Sequence, residues 1–336
     1  STSISASRGL LVRNRSAFER ARDLQAVVFD KTGTLTEGRF GVTAIVPLGE
    51  HSEHSVLGLA ASIEASSEHP IAAGIVGAAV ERGLEPDSAT DVRAIPGKGA
   101  EGRVGGRHIR VVSPGYLREA GIQVNGSKLD GLAAHSSTVV YVLEGEAIIA
   151  AISLSDVIRE ESRAALAELR KLDIKVMMLT GDAEGVAAHV ASELELDDYF
   201  AEVLPGEKAE RIGEIKARGL RTAMVGDGVN DAPALVEADV GIAIGAGTDV
   251  AIESADIVLV RSDPRDVAAL VALARATYGK MVQNLWWATG YNVVAIPLAG
   301  GVFAWAGIVL SPAIGAALMS VSTVIVAINA RLLKVA

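Results

Sequence analysis

Residue 30 is an aspartate that directly follows the apolar, β-branched run QAVVF (25–29) and precedes Lys31, Thr32 and a glycine. A carboxylate delivered to a loop at the end of a buried strand is a nucleophile toward phosphorus once cations screen the incoming phosphate. The other groups such a transfer needs recur downstream, each again at the end of an apolar run. Thr180, Gly181 and Asp182 close KVMMLTGD and offer a hydroxyl and amides to phosphoryl oxygens. Lys208, after a Pro-Gly break, can neutralise the oxygens of pentavalent phosphorus. Asp227 and Asp231, in GDGVND, supply carboxylate oxygens of the kind that hold Mg²⁺, and Asn230 can donate to phosphate. Any one of these alone is ordinarily a turn or a cap; all four in order are a constellation.

The elements that must position them are legible as alternation. Apolar runs at 25–29, 175–179, 221–226, 241–247 and 256–260 are separated by stretches at 158–171, 183–194 and 207–218 with apolar residues three and four apart. Strand and helix alternating in this way predict a doubly wound parallel α/β sheet, with ligands at the carboxyl ends of its strands. Between Asp30 and Asp182 the texture differs. Helices are expected at 54–66 and 69–82, followed by β-like runs at 107–112 and 138–154. We read residues 39–150 as an α+β domain inserted into an α/β domain made of 21–38 and 151–272.

Composition adds a third part. The 336 residues carry a net charge of −10 with a mildly positive mean hydropathy, a pairing that suits an acidic soluble body joined to a membrane part. No charged residue occurs from Met281 to Gly301, or from Phe303 to Ala330. At about 20 residues per span, two transmembrane helices are expected within 280–332, joined by a turn near Gly301–Gly307. Basic residues at the outer ends (Arg275 and Lys280, then Arg331 and Lys334) put both ends on the cytoplasmic side. Residues 1–20 read as the end of a preceding membrane helix and its basic linker, so Ser1 is expected to be an internal position of a longer protein. No clustered basic tract points to nucleic acid. The absence of cysteine excludes disulfides and thiolate metal ligands within the chain.

The four motifs, in this order, resemble those of the haloacid dehalogenase-like phosphotransferases. Simple phosphatases of that superfamily place a second aspartate two residues after the nucleophile to activate water; here that position is Thr32. An aspartyl phosphate at Asp30 should then persist, which resembles the P-type ATPases. Their hydrolytic Thr-Gly-Glu loop is not found in this sequence, so it would lie upstream of Ser1. The resemblance implies ATP as phosphate donor, with Mg²⁺ on Asp30, Asp227, Asp231 and a carbonyl near Thr32. In the inserted domain, Glu64, the SSEHP run (66–70) with His69, and Gly97, Gly99 and Gly102 resemble the nucleotide domain of heavy-metal pumps. There the His and Glu lie beside adenine, and the glycines admit close backbone approach. Where members of that class often have Gly-Asn, this chain has Gly106-Arg107, which leaves the role of residue 107 open.

Specificity must come from the last helices. Asn284 and Tyr291 are seven apart and share a helix face, beside Asn292 and Pro297; Met319, Ser320, Ser322 and Thr323 lie in MSVST. Met favours Cu(I), whereas a Zn²⁺ or Cd²⁺ pump is expected to use a charged group, and neither span has one. Tyr291-Asn292 and Met319 with Ser322 resemble copper-transporting type IB ATPases, and Ser322-Thr323 resembles their Cys-Pro-His subgroup. Its ion has been taken as Cu(I), Cu(II) or Ag(I). The resemblance implies an ATP-driven pump in a bacterial or archaeal plasma membrane, with its soluble domains cytoplasmic. Its partners would be copper (or silver), the lipid bilayer and the rest of the pump upstream of Ser1. The alternatives are a pump for Ag, Zn or Cd, or a phosphatase of the same superfamily.

Overall fold

A computed structural model of the chain describes residues 9–124, 138–245, 249–302, 304–306 and 311–331. In chain order its strands are β1 (Leu10–Val12), β2 (Ala26–Asp30), β3 (Thr36–Pro47), β4 (Ala89–Ile95), β5 (Gly99–Val104), β6 (Arg107–Val112), β7 (Thr138–Glu144), β8 (Ala147–Ile158), β9 (Lys175–Leu179), β10 (Asp198–Phe200), β11 (Thr222–Gly226), β12 (Val240–Ile244) and β13 (Ile257–Leu259).

One sheet has the order β1-β13-β12-β11-β2-β9-β10, and all its pairs are parallel except β1 with β13. Strands β2, β9, β11 and β12 are built almost wholly of apolar residues because helices cover both faces. Phe29, Val27, Val225 and Ile242 belong to one buried layer, and Val28, Met177, Met224 and Ala243 to the other. The chain leaves β2 toward β9 on one side and returns to β11 on the other. This reversal of strand order opens a crevice at the carboxyl end of β2, where Asp30 sits.

The insertion is a six-stranded antiparallel sheet, ordered β3-β8-β7-β6-β5-β4. Helices Glu53–Glu64 and Pro70–Glu81 pack on one face through Val56, Leu57, Ile63 and Ile75. The expected single run at 138–154 is two strands turned at Gly145, whose φ is +62°. The two parts are not joined by loops at 38/39 and 150/151. Instead β3 and β8 run across both expected boundaries as a two-stranded ribbon, paired from Thr36↔Ile158 to Pro47↔Ala150.

The C-terminal helices differ from expectation. Helix Arg265–Ala299 is continuous: its first three turns are buried in the α/β body at Val267, Leu270, Val271, Leu273 and Ala274, and it then runs out past Lys280. Helix Pro312–Arg331 packs against the outer part. The two expected spans are not reproduced, because among the described residues no helix is long and apolar enough to cross a membrane. Gln283, Asn284, Asn292 and Pro297 dilute the apolar run of the long helix. The connecting turn lies partly outside the described residues, as do Arg8, Lys334 and the side chain of Met319. The helix pair nonetheless presents large apolar side chains outward, among them Trp286 (71% exposed), Ile296 (67%) and Val293 (65%).

Because Phe29 is fully buried one residue before Asp30, Phe29→Ala should lose about 3–5 kcal/mol in urea denaturation followed by circular dichroism. A loss below about 1 kcal/mol would mean that the strand collapses around the cavity without penalty.

Candidate active site

Two strand ends and one helix start converge on Asp30. Strand β2 delivers Asp30 itself, β11 delivers Asp227 and Asp231 through the turn that follows it, and helix Lys208–Ala217 begins with Lys208. The Lys208 ammonium donates to Asp30 Oδ1 and to Asp231 Oδ1, both at 2.6 Å. Carboxylate oxygens of Asp30, Asp227 and Asp231 lie within 4.8 Å of one another. Asp30, Asp231 and Lys208 are all buried.

Two glycines make room for this crowding. A Cβ on Gly33, where φ is +75°, would stand 2.2 Å from Asp227 Oδ2. A Cβ on Gly226 would stand 2.5 Å from Asp231 Oδ2. Asp231 Oδ2 also accepts from the Gly228 amide at 3.2 Å, which fixes the carboxylate at the turn.

The electrostatics follow from burial. Desolvation first, then the neighbouring Asp231 charge, push Asp30 from 3.8 up to about 7, against the opposing pull of Lys208. Burial also raises Asp227, with Asp231 adding to it. Burial alone would lower Lys208, but Asp30 and Asp231 more than offset it and leave it raised, firmly a cation. Three carboxylates face one ammonium, which leaves a deficit of about two positive charges when all are ionised.

The second lysine of the motif plays a different part. Lys31 is buried and turns away from Asp30, its Nζ 2.9 Å from Asp182 Oδ2 and 3.5 Å from Asp156 Oδ2. Thr180 is also buried, and its hydroxyl oxygen accepts the Asp182 amide at 3.1 Å. Gly181 lies between them, with the Val203 carbonyl 3.4 Å from where a Cβ would stand. Thr32 and Asn230 are exposed at the rim. Sequence reasoning missed Asp156 and Arg159, which sit at the end of β8 and just beyond it. Asp156 meets Lys31, and its Oδ2 lies 2.6 Å from the Thr36 hydroxyl. Arg159 donates to the carbonyls of Thr36 and Gly33 at 2.9 and 3.1 Å. Their signal was a charged D-x-x-R at the end of an apolar run.

The inserted sheet carries a separate cavity of about 490 Å³ lined by Glu64, His69, Gly97 and Gly99, with Arg93 and Lys98 at its polar side. The glycine pattern is a hairpin turn plus a strand rather than a loop: Gly97 turns, and Gly99 to Gly102 are in β5. A Cβ on Gly99 would meet the Val111 carbonyl at 2.0 Å. Gly102 does not line the cavity; it packs behind it, where a Cβ would come within 3.1 Å of Ile63. Burial raises the Glu64 pKa, with a Ser67 hydrogen bond opposing. His69 caps helix Pro70–Glu81, its Nδ1 accepting the Ile71 amide at 3.3 Å.

Between the two C-terminal helices lies a groove of about 770 Å³ lined by Tyr291 and Ser322 together with Trp286 and Trp287. Asn292 is not among its lining residues. Asn284 faces the last helix instead: its Oδ1 accepts from Asn329 at 2.7 Å, and Asn329 in turn accepts from Lys280 at 3.0 Å.

Residues 24–239 match the haloacid dehalogenase-like hydrolase family. The chain is 64% identical over 334 residues to a copper-exporting P-type ATPase B of Archaeoglobus fulgidus, covering 99% of this chain and 48% of the relative. It is 30% identical to the solved catalytic domain of the CPx-ATPase CopB-B (TM-score 0.60), covering 80% of this chain and 98% of that domain. The chain belongs to the P-type ATPase branch of the haloacid dehalogenase-like hydrolases. A zinc-transporting PIB-type ATPase has a TM-score of 0.84 at 35% identity, covering 99% of this chain and 53% of that structure. This P-type ATPase chain thus spans about half the length of the curated relatives it matches.

Because Asp30 holds its proton up to about pH 7 when folded and only to its ordinary 3.8 when unfolded, the folded state binds more protons between those values. Stability contributed by that proton is therefore full below about pH 4 and lost as pH rises toward about 7. Asp30→Asn removes this dependence. Its melting temperature, relative to the parent, should climb with pH across that window and level off above about pH 8. Saturating Mg²⁺ should shrink the gap; a gap independent of pH would mean that Asp30 ionises freely in the fold.

Proposed function

We propose that the chain carries the catalytic half of an ATP-driven copper pump, with Asp30 receiving the γ-phosphate of ATP. The observation that carries this reading is a buried aspartate at a strand end, held at one oxygen by Lys208 and flanked by two further carboxylates. With Oδ1 tied to Lys208, Oδ2 is the oxygen left to attack phosphorus. A P–O bond forms at Asp30, the bond from the γ-phosphorus to the bridging oxygen breaks, and ADP leaves with that electron pair. Lys208 stays protonated and offsets the charge that develops on the equatorial oxygens. Thr180 and the amides of Gly181 and Asp182 are read as donors to those oxygens, and Asn230 at the rim as a donor to the leaving side.

The three carboxylates suit Mg²⁺: they form a hard oxygen set, one ammonium leaves them under-neutralised, and two glycines are cleared for them. Asp30, Asp227 and Asp231 would hold the ion, which when bound would supply Lewis-acid charge neutralisation to the phosphate. The Glu64–His69 cavity is read as the adenine site, with Gly97 and Gly99 admitting the nucleotide to the backbone and Gly102 supporting them from behind. Lys31 is read as a positioning residue that ties the Asp30 loop to Asp182. Residues 21–38 with 151–272 would then form the phosphorylation domain, and 39–150 the nucleotide-binding domain.

The outward apolar face of the helix pair supports a place in a bilayer, as part of a larger bundle whose neighbours would cover the polar side chains. We read 280–332 as lying in the membrane of a bacterial or archaeal cell, with the catalytic parts on its cytoplasmic side. The rest of the pump would precede Ser1. Copper is favoured as cargo by the 64% identity to a copper exporter against 35% to a zinc transporter, and by the absence of any charged side chain from 281 to 330. Tyr291 and Ser322, on one groove, with Asn292 and Met319, are the proposed ligands toward Cu(I), or toward Ag(I) by the same softness.

In membranes containing the whole pump, [γ-³²P]ATP and Mg²⁺ should label the parent in an acid-stable form and leave Asp30→Asn unlabelled; equal labelling would place the phosphate elsewhere. Met319→Leu or Ser322→Ala should raise the copper concentration needed for half-maximal hydrolysis by at least about tenfold, with nucleotide affinity unchanged. An unaltered copper response in both would assign these residues to helix packing.

A further inference from the structure

A second cleft lies where the charged body gives way to the exposed apolar helix pair. It has a volume of about 190 Å³ and is lined by Arg13, Arg15, Arg22, Thr277, Tyr278 and Met281, with Glu19 its one carboxylate. The phosphate-transfer chemistry uses none of these residues. Several observations make this a built site rather than a chance cluster of arginines. The Arg22 guanidinium stacks over the Tyr278 ring at 3.7 Å, which fixes the direction of its N–H groups. Arg275 clamps the wall from behind, donating to the Arg22 carbonyl at 3.0 Å and the Leu172 carbonyl at 2.9 Å. The Thr277 hydroxyl oxygen is buried with no hydrogen-bond partner among the described residues, although its residue lines the cleft. Among the described residues Arg15 is tied only to Glu19, at 3.1 Å on the exposed surface, a weak link that a stronger anion can replace. Arg13 donates to the Ile252 carbonyl.

Position gives the ligand its class. Met281 on the rim begins the outward apolar stretch that continues through Leu285, Trp286 and Trp287. If that stretch lies among acyl chains, a group bound in the cleft lies at headgroup depth. Three guanidiniums face Glu19 in the lining and Asp23 beside Arg22 (3.1 Å), a net surplus of one positive charge; with an unsatisfied hydroxyl they match a phosphodiester: planar donors for its two free oxygens and a hydroxyl donor from Thr277. We propose that this cleft binds the phosphate of an anionic phospholipid and so fixes how the catalytic body sits on the membrane surface. The proposal rests on the membrane reading above and goes beyond it by assigning a specific headgroup site.

The test is flotation of the chain with vesicles of phosphatidylcholine alone, or of phosphatidylcholine mixed with phosphatidylglycerol. The parent should prefer the anionic vesicles. Arg15→Gln, at an exposed side chain where folding is not at stake, should reduce that preference about fivefold, and Thr277→Val should reduce it with no change of charge. Arg20→Gln is the control, since Arg20 ends the short helix Arg15–Arg20 that Arg15 begins but donates to the Asp239 carbonyl instead; it should change the preference little. An equal fall in Arg20→Gln, with none in Thr277→Val, would reduce the effect to general surface charge and overturn the site. Equal flotation with both vesicles would overturn the site and keep the membrane reading, whereas flotation with neither would overturn both. Glycerol 3-phosphate binding to the vesicle-free chain with the same Arg15 and Thr277 dependence would identify a soluble phosphate as the ligand and overturn the lipid assignment.

Discussion

Lys208 bonded at once to Asp30 and Asp231 is the interaction on which the rest of this structure depends. Burying a carboxylate is unfavourable, and burying two beside a third is worse by their mutual repulsion. One ammonium at a helix start makes the arrangement tolerable without cancelling it. The residual imbalance is a useful property, since a cation and a phosphoryl group meet a place already short of positive charge. The parallel sheet supplies the geometry: β2 and β11 are neighbours, so their ends bring residues about two hundred positions apart to within one hydrogen-bonded cluster.

The β3–β8 ribbon ties the inserted sheet, with its Glu64–His69 cavity, to that cluster. Both strands cross from one part of the molecule to the other, and the loop after Asp30 lies at their root. Arg159 grips the carbonyls of Gly33 and Thr36, while Asp156 meets Lys31 and the Thr36 hydroxyl. A shift of the inserted sheet is therefore felt first by the residues immediately after Asp30.

Much of this was legible in the sequence because the central strands are apolar throughout and end in polar motifs. Asp30, Lys208, Asp227 and Asp231 come together as their order implied. Glu64, His69, Gly97 and Gly99 share a cavity, although Gly99 to Gly102 form a strand, since a glycine can serve close packing of strands as readily as a loop. Lys31 was harder to read: adjacency to Asp30 says nothing about direction, and successive side chains leave a strand end on opposite sides. Asp156 and Arg159 were overlooked because their partners are more than a hundred residues away. The membrane helices were read from a lack of charge, whereas crossing a bilayer also demands apolar length, which the amides of Gln283, Asn284 and Asn292 reduce.

Helix Arg265–Ala299 is about 50 Å long at 1.5 Å per residue, and its first three turns are locked into the core of the α/β body. It therefore acts as a lever with its short arm in the body. With the pivot near Ala274, the free arm is about 37 Å, and a tilt of about 10° sweeps its far end through roughly 6 Å. Small angular changes in the body are in this way converted into displacements of about 4 Å at Tyr291 and about a helix turn at Pro297, the one proline inside the helix.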